Sequence, residues 1–127
     1  MQLLKPPSIL CVHISRVTYS PYGTEVLNSA KVSYPREFVL SQILPPKELP
    51  ESNNTDSKYK LASLIEHVGI TPHSGHYMAY KRLFPESLEP NAEKPHTKWL
   101  QANDEQIQII EEEELLNRKR GAYLLFY

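Results

Sequence analysis

Three histidines, His67, His73 and His76, lie within ten residues of one another, beside the glycines Gly69 and Gly75. Imidazole changes charge nearest to neutral pH and is also a common metal ligand. The segment therefore has two chemical interpretations, a metal site and an acid–base centre, and a third in which the histidines are structural parts of a turn. Zinc is the less favoured, because His73-x-x-His76 has no nearby acidic ligand and falls in a Gly/Ser turn rather than on a helix face.

The acid–base interpretation requires a second residue that orients one of these imidazoles. A catalytic histidine is held in one tautomer by an acceptor on its other ring nitrogen. Asn103 and Asp104 are candidates, because they follow a predicted strand that contains Trp99. They come 27 residues or more after His76, which is far enough for an antiparallel strand to return.

Short β-branched and aromatic segments between Pro- and Gly-rich turns predict a chain made mostly of strands. One helix is predicted near 111–119, where acids come first, bases come last and Gly121 follows. The segment 59–68 fits both helical and strand periods, and we assign it to a strand that ends at Gly69. The start of the first strand is apolar enough to be covered on both faces. The predicted strands are 8–19, 24–27, 31–34, 59–68, 76–83, 97–102, 106–109 and 122–127.

The composition limits the classes of function. The 127 residues allow one domain at most, or part of one, with Pro-rich loop insertions near 42–58 and 84–96. With 14 basic and 15 acidic residues, the net charge of −1 does not favour nucleic acid or an anionic membrane as a partner. The single cysteine, Cys11, excludes an internal disulfide and fits an intracellular protein. No apolar run approaches the length of about 18 residues expected for a membrane span.

The order of several motifs resembles the ubiquitin-specific proteases, papain-like cysteine hydrolases that cleave after the C-terminal glycine of ubiquitin. The resemblance covers most of the chain apart from the two Pro-rich insertions. The matching segments are 9–16, Tyr59-x-Leu61, Glu66-His67-x-Gly69, Gly75-His76-Tyr77-x-Ala79-Tyr80, Trp99 with Asn103-Asp104, and 122–127.

This resemblance implies an α+β fold: the β-rich palm portion of a papain-like cysteine protease, an antiparallel sheet with one short helix, in an incomplete domain spanning 1–127. It implies that His76 is the general base, that Asn103 orients it and that Asp104 is the neighbouring polar residue. Gly75 and Tyr77 would line the channel for the ubiquitin tail, with sheet packing as the alternative role of Tyr77. No cofactor and no metal are expected. The expected partners are ubiquitin or ubiquitinated proteins, and the N-terminal half of the catalytic domain.

The chain departs from the family at the nucleophile. The family places a cysteine in an Asn-x-Cys box that opens a helix, and this sequence has no such box. Cys11 occupies an apolar strand, so we expect an inert core thiol. We therefore expect the chain alone to be inactive, and the alternatives are a catalytically dead ubiquitin-binding module and a non-functional fragment. The residues at 20–24 and 73–76 resemble those of the family's mitochondrial outer-membrane member. The mitochondrial outer membrane is therefore an alternative to a cytoplasmic location.

Overall fold

The computed structural model describes residues 5–44, 57–83, 97–118 and 121–127. Within these ranges the chain forms ten short strands, one 3-10 turn at Leu40–Gln42 and one α-helix, α1, at Glu112–Asn117. The strands are β1 (Cys11–His13), β2 (Val17–Tyr19), β3 (Glu25–Leu27), β4 (Glu37–Val39), β5 (Lys58–Lys60), β6 (Ser63–Thr71), β7 (Ser74–Arg82), β8 (Lys98–Asn103), β9 (Gln106–Glu111) and β10 (Ala122–Phe126).

A six-stranded sheet organises the molecule, in the order β1-β10-β6-β7-β8-β9, and every neighbouring pair is antiparallel. Two antiparallel ribbons, β2–β3 and β4–β5, form separate two-stranded sheets that are not hydrogen-bonded to it. The predicted α+β class and antiparallel sheet are confirmed. The terminal strand β10 lies between β1 and β6, so the last residues of the chain are central to the fold.

One face of the sheet carries the core. Side chains alternate between the two faces of a strand, and the inward positions on neighbouring strands hold large residues. Tyr80 on β7 and Trp99 on β8 are each 1% exposed, and Leu115 of α1 is completely buried against them in the same cluster. The predicted helix is confirmed but shorter, because it ends at Asn117.

The sequence predicted one continuous strand at 8–19, and this prediction is wrong. The chain leaves the large sheet after β1 and enters the β2–β3 ribbon, and buried Arg16 lies at the break. The Arg16 Nε donates to the carbonyl of Ala122 (3.0 Å), which ties the crossing to β10. The expected cover on both faces is also wrong, because Cys11 and His13 at the two ends of β1 are exposed. Ile9 is 70% exposed and Cys11 is exposed, so the expected core thiol lies at the surface.

The predicted strand at 59–68 divides in the same way, into β5 of a ribbon and β6 of the large sheet. It does not end at Gly69, because β6 continues to Thr71 with an irregularity in its register to β7. The predicted strand at 31–34 is irregular chain, in which Tyr34 is buried and its hydroxyl donates to the Leu115 carbonyl (3.3 Å).

The predicted insertion at 42–58 begins in the 3-10 turn and ends in β5, and its interior, 45–56, lies outside the described residues. The insertion at 84–96 lies wholly outside them. None of the helices in the described ranges is long and apolar enough to cross a membrane.

Candidate active site

His76 and Asn103 meet because two neighbouring strands carry them to one end of the sheet. His76 lies near the start of β7 and Asn103 is the last residue of β8. The register pairs Ala79 with Ala102, so His76 and Asn103 are diagonal neighbours on the same face. That face is the one that carries the core, and the His76 side chain, 38% exposed, stands at its open end.

A hydrogen bond joins Nε2 of His76 to Oδ1 of Asn103. An amide oxygen only accepts, so in this pair the imidazole Nε2 carries the proton and donates. A neutral imidazole has one proton, which leaves Nδ1 of His76 with a free lone pair. The arrangement therefore presents Nδ1 as a proton acceptor.

Asp104 stands beside that second nitrogen. It opens the turn between β8 and β9 with a left-handed backbone (φ 51°), a conformation that Asp tolerates better than most residues. Its Oδ2 lies 3.7 Å from Nδ1 of His76, beyond hydrogen-bond distance, and its side chain is 80% exposed. The structure thus brings His76, Asn103 and Asp104 together, with one partner near each ring nitrogen.

Gly75 and Tyr77 flank His76 and both lie against His67, on the face of β7 opposite His76. A Cβ at Gly75 would lie 2.2 Å from Nε2 of His67, so the close approach of that imidazole requires glycine. Tyr77 lies on the opposite face from His76 and is 54% exposed. Its ring packs on His67 (4.9 Å between centroids) and Tyr123 (5.7 Å). These are sheet-packing contacts, and the substrate-binding roles of Gly75 and Tyr77 stay predictions.

The three clustered histidines have three different environments. His67 packs among aromatic rings, His76 bonds Asn103, and His73 pairs with Glu25 (2.9 Å from Nε2 to Oε2). Across the described ranges, no group of three or more His, Cys, Asp or Glu residues is placed to hold a metal ion.

Cys11 is far from the imidazole. It lies on β1, three strands away from β7, and its row of paired residues runs through Phe126 and Ser63 to Lys81, five positions along β7 from His76. With strands about 4.8 Å apart and a rise of about 3.3 Å per residue, the separation is roughly 20 Å. A thiol at that distance cannot exchange a proton directly with His76.

Glu66, for which the sequence predicted no role, lies in a buried polar group. Glu66 is 6% exposed and accepts a 2.8 Å hydrogen bond from the hydroxyl of Tyr80, to which Arg118 also donates (3.3 Å). Burial, followed by the hydrogen bond to Glu66, raises the pKa of Tyr80. A signal was present, because Glu66 is two positions after Leu64 on β6 and so shares its inward face.

Sequence comparison with known proteins points to one family. The sequence profile of the ubiquitin carboxyl-terminal hydrolase family matches residues 1–127. Ubiquitin carboxyl-terminal hydrolase 10 of Saccharomyces cerevisiae is 31% identical over 98% of this chain, which corresponds to 13% of the yeast protein. Ubiquitin carboxyl-terminal hydrolase 4 of Arabidopsis thaliana is 32% identical over 88% of the chain, or 26% of the plant protein.

Solved structures give the same fold. A Ubp8–Sgf11–Sus1–Sgf73 SAGA DUB module bound to monoubiquitin contains a chain that superposes with a TM-score of 0.75 at 25% identity, over 99% of this chain and 24% of that one. The Ubp8–Sgf11–Sgf73–Sus1 module gives a TM-score of 0.74 at 24% identity. This chain therefore spans about an eighth to a quarter of the length of the relatives cited. By its full-length profile match and its papain-like palm fold, the chain belongs to the ubiquitin carboxyl-terminal hydrolase family.

Proposed function

We propose that this chain supplies the general base and its orienting partner for thiol-dependent deubiquitination, the hydrolysis of the bond that follows the C-terminal glycine of ubiquitin. The observation that carries the proposal is the hydrogen bond between His76 and Asn103. Membership of the hydrolase family and the ubiquitin-bound SAGA module among its structural neighbours support ubiquitin as the partner.

The chemistry follows from the protonation of the ring. With Nε2 engaged by Asn103, Nδ1 of His76 takes the proton of an incoming thiol, and the thiolate attacks the glycine carbonyl carbon. The imidazolium then returns its proton to the departing amine. Water hydrolyses the resulting thioester, with His76 again acting as base. Asn103 holds the ring in the required tautomer throughout.

None of the described residues beside His76 carries a thiol, so the nucleophile has to come from elsewhere. Cys11 is the sole thiol in the sequence, and the sheet register separates it from the imidazole by roughly 20 Å. We propose that a helical segment, in the same longer polypeptide or in a second chain, brings a cysteine to Nδ1. The 127 residues by themselves are then inactive.

A second candidate function is ubiquitin binding without hydrolysis. The half-exposed ring of Tyr77, packed on His67 and Tyr123, favours it, because exposed aromatic clusters are common in protein interfaces. Titration of the labelled 127-residue chain with ubiquitin, followed by amide NMR shifts, gives a saturable footprint in this case. Hydrolysis of a ubiquitin reporter then stays undetectable even in a longer protein that also carries a helix-opening cysteine.

The test of the catalytic proposal uses a longer protein that contains this segment together with a helix-opening cysteine. His76→Ala abolishes hydrolysis of a ubiquitin C-terminal reporter, and His73→Ala, which alters the exposed neighbouring imidazole, retains it. Unchanged turnover in His76→Ala would refute the assignment. Hydrolysis by the purified 127-residue chain that is lost on Cys11→Ser would overturn the account of the nucleophile.

A further inference from the structure

His76 stands on a part of β7 that extends beyond the ladder with β8. The register pairs between these two strands end at Ala79 and Ala102. Before Ala79, within the described part of the chain, β7 is paired with β6 alone, and Val68 lies opposite His76. The position of the imidazole relative to Asn103 on β8 therefore depends on how β6 holds this part of β7.

One side chain of β6, His67, contacts both neighbours of His76 on the face of the hairpin opposite the His76 ring. A Cβ at Gly75 would lie 2.2 Å from Nε2 and 2.7 Å from Cε1 of His67, so the His67 ring lies directly against the Gly75 backbone. The same ring packs against that of Tyr77, with 4.9 Å between centroids. A single imidazole thus holds the chain on both sides of the candidate base.

His67 is itself held from the other side of β6. Its backbone N–H donates to the carbonyl of Gly121 (2.8 Å), which directly precedes β10. Its ring also lies near that of Tyr123 on β10, with 6.5 Å between centroids. Because close-packed groups transmit displacements to one another, the support for His76 extends across three strands, β10, β6 and β7.

We propose that His67 is a positioning residue for His76. Its ring fixes the backbone on both sides of the base, and the direction of a side chain follows from the backbone that carries it. The His76 imidazole therefore keeps the orientation in which Nε2 donates to Asn103. Without the His67 ring, this end of β7 moves and the imidazole exchanges between tautomers. The catalytic consequence rests on the proposed function, whereas the effect on the tautomer does not.

The tautomer of His76 in the full 127-residue chain tests the proposal. Long-range proton–nitrogen NMR at mildly alkaline pH, where imidazole is neutral, distinguishes the protonated ring nitrogen from the unprotonated one. In the wild-type chain Nε2 of His76 carries the proton, because it donates to Asn103. His67→Ala averages the shifts of the two nitrogens. His67→Gln, whose planar amide again reaches toward Gly75, recovers most of the difference.

His13→Ala is the matched control. The His13 ring packs on Tyr123 (4.9 Å between centroids), but it lies on β1, three strands from β7, so its removal leaves the His76 shifts unchanged. Gly75→Ala reaches the proposed contact from the other side, because its Cβ overlaps the His67 ring. It averages the shifts in the wild-type background and has a smaller effect in His67→Ala.

A single protonated nitrogen at His76 in a His67→Ala chain that retains its near-ultraviolet circular dichroism overturns the proposal. If His67→Ala loses that dichroism, Gly75→Ala decides the question, and unaveraged His76 shifts in this variant overturn the proposal as well.

Kinetics give a second readout in a longer, active protein that contains this segment. His67→Ala lowers kcat by up to about 100-fold and leaves KM unchanged, because a misplaced base slows the chemical step without weakening substrate binding. A rise in KM at constant kcat makes His67 a substrate contact and overturns the positioning role. Unchanged turnover in His76→Ala refutes the proposed function instead, and the NMR result for His67 then still stands.

Discussion

His76 and Asn103 lie on adjacent strands as diagonal neighbours, and their hydrogen bond crosses the open end of the core face. The diagonal offset matters. If the β7–β8 register continued, the residue directly opposite His76 would be Glu105, which lies in the turn. Asn103 therefore reaches His76 from the last position of β8 that still has strand geometry. The orientation of the imidazole depends on the sheet rather than on a loop.

Removal of the Asn103 amide tests that dependence. In a longer, active protein that contains this segment, Asn103→Ala lowers kcat/KM by about 10- to 100-fold, the cost known for losing a residue that orients a metal-bound histidine. Asn103→Asp keeps an acceptor at the same place and loses much less. Steady-state hydrolysis of a ubiquitin C-terminal reporter across pH 6 to 9 measures both variants.

Asp104→Ala is the companion variant, because its carboxylate lies near Nδ1 rather than Nε2. In the Asn103→Ala background, further loss on Asp104→Ala means that the Asp104 carboxylate contributes from the Nδ1 side of the ring, where it does not replace an acceptor at Nε2. Equal kcat/KM for Asn103→Ala and wild type across the pH range is inconsistent with an orienting role for Asn103.

The buried Tyr80–Glu66 hydrogen bond predicts a stability effect. Tyr80→Phe leaves the buried Glu66 carboxylate without its 2.8 Å donor, so the free energy of unfolding falls by about 1 to 3 kcal/mol. Tyr22→Phe removes a hydroxyl from a ring that is 94% exposed and changes stability by less than about 0.5 kcal/mol. Urea denaturation followed by tryptophan fluorescence measures both, and equal midpoints would mean that the hydrogen bond contributes nothing.

The sequence predicted most of what positions the candidate site. Strand periodicity located β7 and β8, and the resemblance selected His76 and Asn103 from several polar residues. The sequence did not show that the chain passes from one sheet to another at Arg16 and at Leu61. A β-branched segment has the same pattern whether it lies in one sheet or in two. The alternation with Leu64 indicated the inward face for Glu66, but its hydrogen bond to Tyr80 escaped prediction, since the two residues meet only through the sheet register.

Burial of tyrosines predicts a stepped alkaline titration. Burial raises the pKa of Tyr34 and of Tyr127 to about 12, whereas phenols in unfolded chains lose their protons near pH 10. A group whose pKa is raised in the folded state stabilises the fold below the unfolded value, and this contribution is lost as the pH rises from about 10 to 12. Absorbance of tyrosinate at alkaline pH therefore shows a late phase that coincides with loss of near-ultraviolet circular dichroism.

Tyr34→Phe reduces that late phase by one tyrosine. A single phase near pH 10 with the folded dichroism intact would contradict the predicted burial of Tyr34 and Tyr127.

Gly121 stands where the chain enters β10, and its backbone passes directly beside Glu66. A Cβ at this position would lie 2.2 Å from Cγ of Glu66 and 2.6 Å from its Oε1, so Gly121→Ala displaces the carboxylate from Tyr80 and lowers stability by about 1 to 3 kcal/mol. The two sites are in contact, so their effects are not additive. Gly121→Ala in a Glu66→Ala background therefore costs less than in the wild-type background, because the side chain that it would overlap is gone. A double-mutant cycle from urea midpoints measures the coupling, and a coupling energy of zero would show that the glycine is needed for another reason.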